Sequence, residues 1–181
     1  MRNSVLPAKP PRWPLLTISI VVITGIFTSV QFIYPPLLFA LRRTPGALSQ
    51  HEWWRLITPI LVHDGGWRQI AFNFPATLIA GAIVERFYTR GEWLGLYLLG
   101  AVVGELAGFA WQPDGAGNSV AGAGLLGGIA VWLLCLKLMP ARVGASILLG
   151  GALVLTLLRD LHGPPLLAGA CAGAILLRRR M

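Results

Sequence analysis

Long apolar stretches separated by short polar segments form the main pattern of this chain. Six of these stretches are long enough for several helical turns, and the charged residues stand mostly between them. A helix needs about 20 residues to cross about 30 Å of hydrocarbon. The pattern therefore predicts membrane-spanning helices, the shorter of which begin in flanking polar residues or cross a locally thinned bilayer. The predicted spans are residues 13–34, 70–84, 93–111, 119–136, 143–158 and 165–177.

The segment 35–66 is too long and too mixed to be a simple connection between two helices. It combines apolar residues with Arg42, Arg43 and Arg55, which is typical of an element that lies among lipid headgroups. We therefore expect a long interfacial loop between the first and second spans. Residues 1–12 and the basic residues 178–181 are predicted to be cytoplasmic tails of a single membrane domain, residues 1–181.

The composition supports a membrane protein. Of the 181 residues, 55% are hydrophobic and only 12% are charged, and a soluble fold with this composition would expose too much apolar surface. Cys135 and Cys171 lie inside apolar stretches, without a disulfide or metal-ligand pattern around them,. The sequence therefore predicts an all-α integral membrane protein with no metal site and no cofactor.

The formal net charge of +8 is spread over short clusters between the apolar stretches. A nucleic-acid-binding domain would carry its basic residues on one face, so we expect no nucleic-acid partner and attribute the charge to membrane topology. With the N-terminus in the cytoplasm, ten Lys and Arg residues fall on the cytoplasmic side and five on the other. This asymmetry predicts that both termini are cytoplasmic. The ten are Arg2, Lys9, Arg12, Arg86, Arg90, Lys137, Arg142, Arg178, Arg179 and Arg180, and the five are Arg42, Arg43, Arg55, Arg68 and Arg159.

This topology brings three polar side chains to the same level on the outer side. The second, fourth and sixth helices all run inward, so Asn73, Ser119 and His162 stand near their outer ends. A carboxamide, a hydroxyl and an imidazole can serve as an oxyanion donor, a nucleophile and a general base. Alternatively, Ser119 is only a helix N-cap and His162 only a loop residue. Asn73 is costly to bury in lipid, so we expect it to face the protein interior.

Small residues in the fourth and sixth helices indicate that the two backbones approach closely. Gly124 and Gly127 remove bulk from the fourth helix, and Gly169 does so in the sixth,. The alternative is that these glycines serve packing alone, as in any membrane bundle. Glu105 lies within the third span and is expected to accept hydrogen bonds from neighbouring helices, because an unpaired carboxylate is costly there.

From about residue 52 to residue 177 the chain resembles the rhomboid family of intramembrane serine proteases. Trp54-Arg55 is similar to the family's Trp-Arg loop, and Asn73 matches the asparagine of its His-x-x-x-Asn motif. Gly117-Asn118-Ser119 matches the start of the catalytic Gly-x-Ser-Gly, with Gly124-Leu125-Leu126-Gly127 at the spacing seen in that helix. His162, followed seven residues later by Gly169, resembles the catalytic histidine and the glycine-lined sixth helix.

The resemblance implies a six-helix bundle that hydrolyses transmembrane protein substrates near the outer membrane face. Ser119 is the implied nucleophile and His162 its base, in a two-residue dyad. The Ser119 N–H, the Asn73 side chain and Gln69 are the implied donors to the oxyanion, while Trp54 and Arg55 are structural. The implied location is a bacterial-type cell membrane, with the lipid bilayer and transmembrane substrates as partners.

Two departures from the family pattern leave alternatives open. Gln69 stands where the family has a histidine, and Val120 replaces the second glycine of Gly-x-Ser-Gly. A catalytically inactive rhomboid-like protein that binds membrane clients would tolerate both. In a second register, Ala121-Gly122-Ala123-Gly124 aligns with the motif and Ala123 takes the nucleophile position. A channel or transporter is disfavoured, because no inverted repeat and no line of ionisable residues is visible.

Overall fold

The computed structural model describes residues 13–180, and the secondary structure of this part is helical apart from one isolated bridge between Arg43 and Gly115. The predicted all-α class is therefore confirmed. Two single 3-10 turns, Trp53–Leu56 and Thr58–Leu61, lie between the second and third helices. The seven α-helices are α1 Leu15–Ile33, α2 Pro36–Leu41, α3 Gly66–Phe87, α4 Arg90–Trp111, α5 Ser119–Cys135, α6 Met139–Leu157 and α7 Gly163–Arg178.

Helices α1 and α3 to α7 correspond to the six predicted spans, but four of them begin earlier than predicted. They start at Gly66, Arg90, Met139 and Gly163, in the segments that flank the apolar stretches. At α4 the reason is a capping box, in which Thr89 and Glu92 satisfy each other's backbone N–H groups,. The predicted tail 1–12 lies outside the described residues. Arg178 still belongs to α7, so the helix extends into the segment 178–181, whose cytoplasmic location stays a prediction.

Four helices, α1, α3, α4 and α6, are long and apolar enough to cross a membrane. The other two predicted spans are shorter, since α5 has 17 residues and α7 has 16. At 1.5 Å per residue each covers only about 25 Å. The chain is an integral membrane protein, and the crossing of the bilayer by all six helices stays a prediction.

Helix α5 lies at the centre of the bundle, against α4 on one side and α7 on the other. Its glycines allow direct backbone contact. A Cβ atom on Gly124 would collide with the Leu96 carbonyl of α4, and one on Gly127 would collide with the Leu166 carbonyl of α7. In turn, a Cβ atom on Gly169 of α7 would collide with the Gly124 carbonyl of α5. The close approach expected from the glycine pattern is therefore present, on two faces of α5 rather than one.

Helix α1 turns its polar side inward. Four buried residues line the side that faces the bundle, while its large apolar residues are mostly exposed, as suits a helix surrounded by lipid,. At one end, the Thr17 hydroxyl donates to Glu85 Oε1 of α3 over 2.6 Å. The buried polar residues are Thr17, Thr24, Thr28 and Gln31.

The predicted loop 35–66 contains ordered structure, and Arg55 holds it together. The guanidinium of Arg55 is buried, donates to the Phe39 carbonyl over 2.9 Å, and also bonds the Arg42 carbonyl at the end of α2. A cation at this position stabilises the unpaired carbonyls of a helix end. Trp54 is half exposed, and its Nε1 donates to the Ala40 carbonyl over 3.4 Å.

Candidate active site

Ser119 and His162 meet at the end of the bundle where α3, α5 and α7 begin. Ser119 is the first residue of α5 and His162 directly precedes α7. The Ser119 Oγ lies 2.9 Å from His162 Nε2, within hydrogen-bonding distance for proton transfer,. Asn118, rather than Ser119, holds the N-cap position of α5, and it makes no side-chain cap bond. Ser119 is therefore not a simple helix cap.

The chain places His162 by ending one helix and starting the next within a few residues. At the end of α6, the Arg159 N–H donates to Thr156 O over 3.1 Å and the Asp160 N–H to Leu155 O over 2.8 Å. These two bonds form a Schellman motif, and Arg159 takes the positive φ of 59° that the motif requires,. Gly163 then packs so closely on α6 that a Cβ would collide with Thr156.

Asp160 contacts the imidazole from the side opposite to Ser119. Its Oδ1 accepts from the backbone N–H of His162 over 2.8 Å and lies 2.8 Å from His162 Nδ1. The sequence did not point to Asp160, because the family resemblance implies a dyad of Ser119 and His162 alone. The available signal was local, since an aspartate in a turn commonly accepts the backbone N–H of the residue two positions later.

Asn73 lies on α3, near the segment that leads to Ser119. Its side chain is buried, and among the described residues its Nδ2 has no hydrogen-bond partner. This nitrogen is 3.4 Å from the place that a Cβ on Gly117 would occupy, two residues before Ser119. An amide donor left unpaired in the interior costs free energy unless a ligand completes it.

Gln69, one turn before Asn73, holds the loop that leads to the serine. Its Oε1 accepts from the Gly65 N–H over 2.8 Å, and its Nε2 donates to the Ala116 carbonyl over 2.7 Å. Gly117 has a φ of 145°, and a Cβ there would collide with the Gln69 amide. One of the two amide hydrogens of Gln69 is thus engaged, and the other is available to a ligand.

A polar cavity of about 240 Å³ opens beside Ser119 and His162. Its walls come from the interfacial loop, from α3 and α4 and from the segment before α5, so it has room and polar partners for water. Asn73 is not among the residues of its wall. The lining residues are Arg43, Asp64, Gln69, Glu105, Gln112, Asp114, Gly115, Ala116, Gly117, Ser119, Val120, Leu161 and His162.

A buried hydrogen-bonded chain supports Asn118, the residue before the serine. Asn118 Nδ2 donates to Thr77 Oγ1 over 3.1 Å, so its Oδ1 faces His63 Nε2 at 3.2 Å and must accept from it,. The other ring nitrogen of His63, Nδ1, then accepts from the Thr28 hydroxyl at 3.0 Å. Burial lowers the pKa of His63, which favours the neutral ring that this chain requires. The chain connects α1 and α3 to the start of α5.

Arg43 connects the interfacial loop to α4 at the wall of the cavity. Its guanidinium bonds Glu105 and donates through Nε to the Gln112 carbonyl over 2.9 Å. The two charged side chains of the pair are only 4% and 1% exposed. The expectation that neighbouring helices bond Glu105 is therefore wrong, because the partner, Arg43, belongs to the interfacial loop.

The structure separates the two possible nucleophile positions. Ser119 lies beside the His162 imidazole, whereas Ala123 is a turn deeper and packs among buried apolar residues of α6 and α7. Val120, the residue that departs from the family motif, is buried against Gly104 of α4, where a Cβ would collide with it. A glycine on the facing helix thus accommodates the larger side chain.

Comparison with known proteins matches this chain to rhomboid proteins. The Rhomboid domain family model matches residues 50–178. The chain is 39% identical over 103 residues to the rhomboid protease GluP of Bacillus subtilis (strain 168), a match that covers 56% of this chain and 20% of that protein. It is 30% identical over 66 residues to the putative rhomboid protease YdcA of the same organism, covering 36% of this chain and 33% of the relative.

A third similar protein comes from another organism. The chain is 33% identical over 86 residues to rhomboid-like protease 3 of Toxoplasma gondii, which covers 46% of this chain and 32% of that protein. In all three comparisons the match spans a third or less of the relative's length.

Proposed function

The chain belongs to the rhomboid family, and we propose that it is an intramembrane serine protease that cleaves transmembrane proteins. The observation that carries the proposal is the 2.9 Å separation of Ser119 Oγ and His162 Nε2, at the edge of a polar cavity within an apolar bundle. Hydrolysis inside a membrane protein needs a nucleophile, a base and access to water, and this end of the bundle offers all three.

In the proposed reaction, Ser119 Oγ attacks the carbonyl carbon of the scissile peptide bond while His162 Nε2 takes its proton. The resulting oxyanion receives hydrogen bonds from the Ser119 N–H and from Asn73 Nδ2, with the second amide hydrogen of Gln69 as a further donor. His162 then gives its proton to the leaving amine, which departs and leaves an acyl-serine. A water molecule from the cavity, deprotonated by His162 Nε2, then attacks the acyl carbon, and the imidazole returns the proton to Ser119 Oγ as the ester bond breaks and the acid leaves.

Asn73 has a single role in the proposed reaction, which is to donate a hydrogen bond to the oxyanion. Removing one oxyanion donor typically lowers kcat by about 10²- to 10³-fold. Because Asn73 Nδ2 has no partner among the described residues, its loss breaks no hydrogen bond of the resting protein. We therefore expect Asn73→Ala to lower kcat by about 10- to 1000-fold with little loss of folded protein. The measurement is the initial rate of cleavage of a generic transmembrane substrate in liposomes.

Gln69 provides the matched comparison, since it lies one turn away on the same helix. Gln69→His keeps a neutral donor at the position and restores the family's residue, so activity should persist. Wild-type turnover in Asn73→Ala would assign that amide to packing. If the wild-type protein bound the tested transmembrane substrates without cleaving any of them, the alternative of a client-binding protein without protease activity would be supported.

We further propose that both termini are cytoplasmic and that the Ser119 end of the bundle faces outward. The ten-to-five distribution of Lys and Arg supports this orientation,. A reporter that works only in the cytoplasm should therefore be active when fused to either terminus. A reporter that works only outside should be active when inserted in the loop that contains Asp114. An external C-terminus would contradict the proposed orientation and place substrate cleavage at the inner face.

A further inference from the structure

The His162 imidazole has a second partner that the proposed reaction does not use. Nε2 faces Ser119, and Nδ1 lies 2.8 Å from Asp160 Oδ1. We propose that Asp160 is a positioning residue, whose carboxylate keeps the imidazole proton on Nδ1 and the lone pair of Nε2 directed at Ser119. This inference rests on the proposed protease function and extends its dyad to a line of three residues.

The hydrogen-bond chemistry of a carboxylate leads to this assignment. An ionised carboxylate only accepts hydrogen bonds, so the ring nitrogen facing Asp160 must carry a proton. In a neutral imidazole the other nitrogen is then an acceptor, which is the state a general base needs. Without such a partner, either tautomer can form, and the one with a proton on Nε2 cannot accept the Ser119 proton.

The local backbone holds Asp160 in place. The same Oδ1 that faces the ring accepts the His162 backbone N–H over 2.8 Å, which limits rotation of the carboxylate. Burial raises the pKa of Asp160, but the hydrogen bonds from the backbone and ring of His162 outweigh burial and lower the pKa below its usual value. Asp160 is therefore ionised near neutral pH. Within residues 13–180, its only ion-pair partner is the His162 ring.

The expected effect is moderate because water reaches both side chains. The His162 and Asp160 side chains are 40% and 36% exposed, whereas the aspartate of a serine-protease triad is buried and its replacement by asparagine costs about 10⁴-fold in kcat. A misoriented catalytic group costs on the order of 10²-fold. We therefore expect Asp160→Ala to lower kcat by about 10- to 100-fold and to leave KM nearly unchanged.

The test combines cleavage kinetics with NMR of the imidazole. Full-length protein labelled with ¹⁵N-histidine is prepared in detergent micelles, and the His162 signals are assigned by their absence in His162→Ala. At a pH where the ring is neutral, wild-type His162 should carry its proton on Nδ1, and Asp160→Ala should shift the population toward Nε2–H. Arg159→Asn is the control, because it removes a neighbouring charge while asparagine tolerates the positive φ. It should match the wild type in both measurements.

The two measurements separate this inference from the proposed function. An unchanged ring spectrum together with unchanged kcat in Asp160→Ala would overturn the positioning role and leave the protease intact. A wild-type His162 already protonated on Nε2 would also overturn it. If Asp160→Ala changes the tautomer as expected but the wild type cleaves no substrate, the positioning contact stands and the proposed function fails.

Discussion

Replacing Ser119 or His162 with alanine is expected to abolish cleavage of a transmembrane substrate. Each substitution removes one end of the 2.9 Å contact between Oγ and Nε2, and neither group can activate a peptide carbonyl without the other. Residues that act as a unit are not additive, so the double variant should be no slower than either single variant. The measurement is the single-turnover rate in liposomes, with thermal melting to verify that each variant is folded.

Ala123→Ser is the matched control for this prediction. It places a hydroxyl in the same helix, one turn deeper and among apolar side chains, so it should not restore cleavage to Ser119→Ala. Full activity in Ser119→Ala would contradict the assignment of the nucleophile. Activity gained only by Ala123→Ser would show that the alternative register is right and that this chain is not a protease as it stands.

Replacing Arg43 with alanine is expected to destabilise the fold more than the removal of any surface charge. Arg43 and Glu105 form an ion pair with side chains 4% and 1% exposed, so alanine leaves the Glu105 carboxylate buried without its cation. Breaking such a pair costs about 3–5 kcal/mol of unfolding free energy. The measurement is unfolding in mixed micelles, followed by circular dichroism.

Arg42 supplies the control, because it is the neighbouring residue and its two partners, Asp114 and Asp64, have side chains that are 59% and 25% exposed, so neither carboxylate would be left buried without a cation. Exposed pairs contribute about 0–1 kcal/mol, so Arg42→Ala should have a small effect. Arg43→Met combined with Glu105→Leu should recover most of the stability, since no buried charge remains. Equal losses of unfolding free energy in Arg43→Ala and Arg42→Ala would show that the buried pair stabilises the fold no more than the contacts of Arg42 do.

The apolar stretches predicted the helices well because the outer helices expose large apolar residues, as suits contact with lipid, and the central helix α5 is apolar and largely buried,. The apolar stretches do not mark the ends of the helices, because caps such as Thr89 extend a helix into the neighbouring polar residues. The glycines of α5 indicated close helix contact, but not that Gly124 contacts α4 as well as α7.

The candidate site could be predicted only as far as topology brings residues together. Topology placed Ser119, His162 and Asn73 at one end of the bundle. The contacts of Asp160 depend on a turn between two helices, and those of His63 and Arg43 depend on a loop folding back onto distant elements. Such contacts have no period along the chain, so hydrophobic patterning does not reveal them.

Labelling with a serine-directed fluorophosphonate is the sharpest test of the proposed nucleophile, because the reagent reports an activated serine without needing a known substrate. We expect the wild-type protein in detergent to be labelled and mass spectrometry to locate the adduct on Ser119. Ser119→Ala and His162→Ala should both remain unlabelled. An unlabelled wild type, or an adduct on any other residue, would contradict the proposed role of Ser119 and His162.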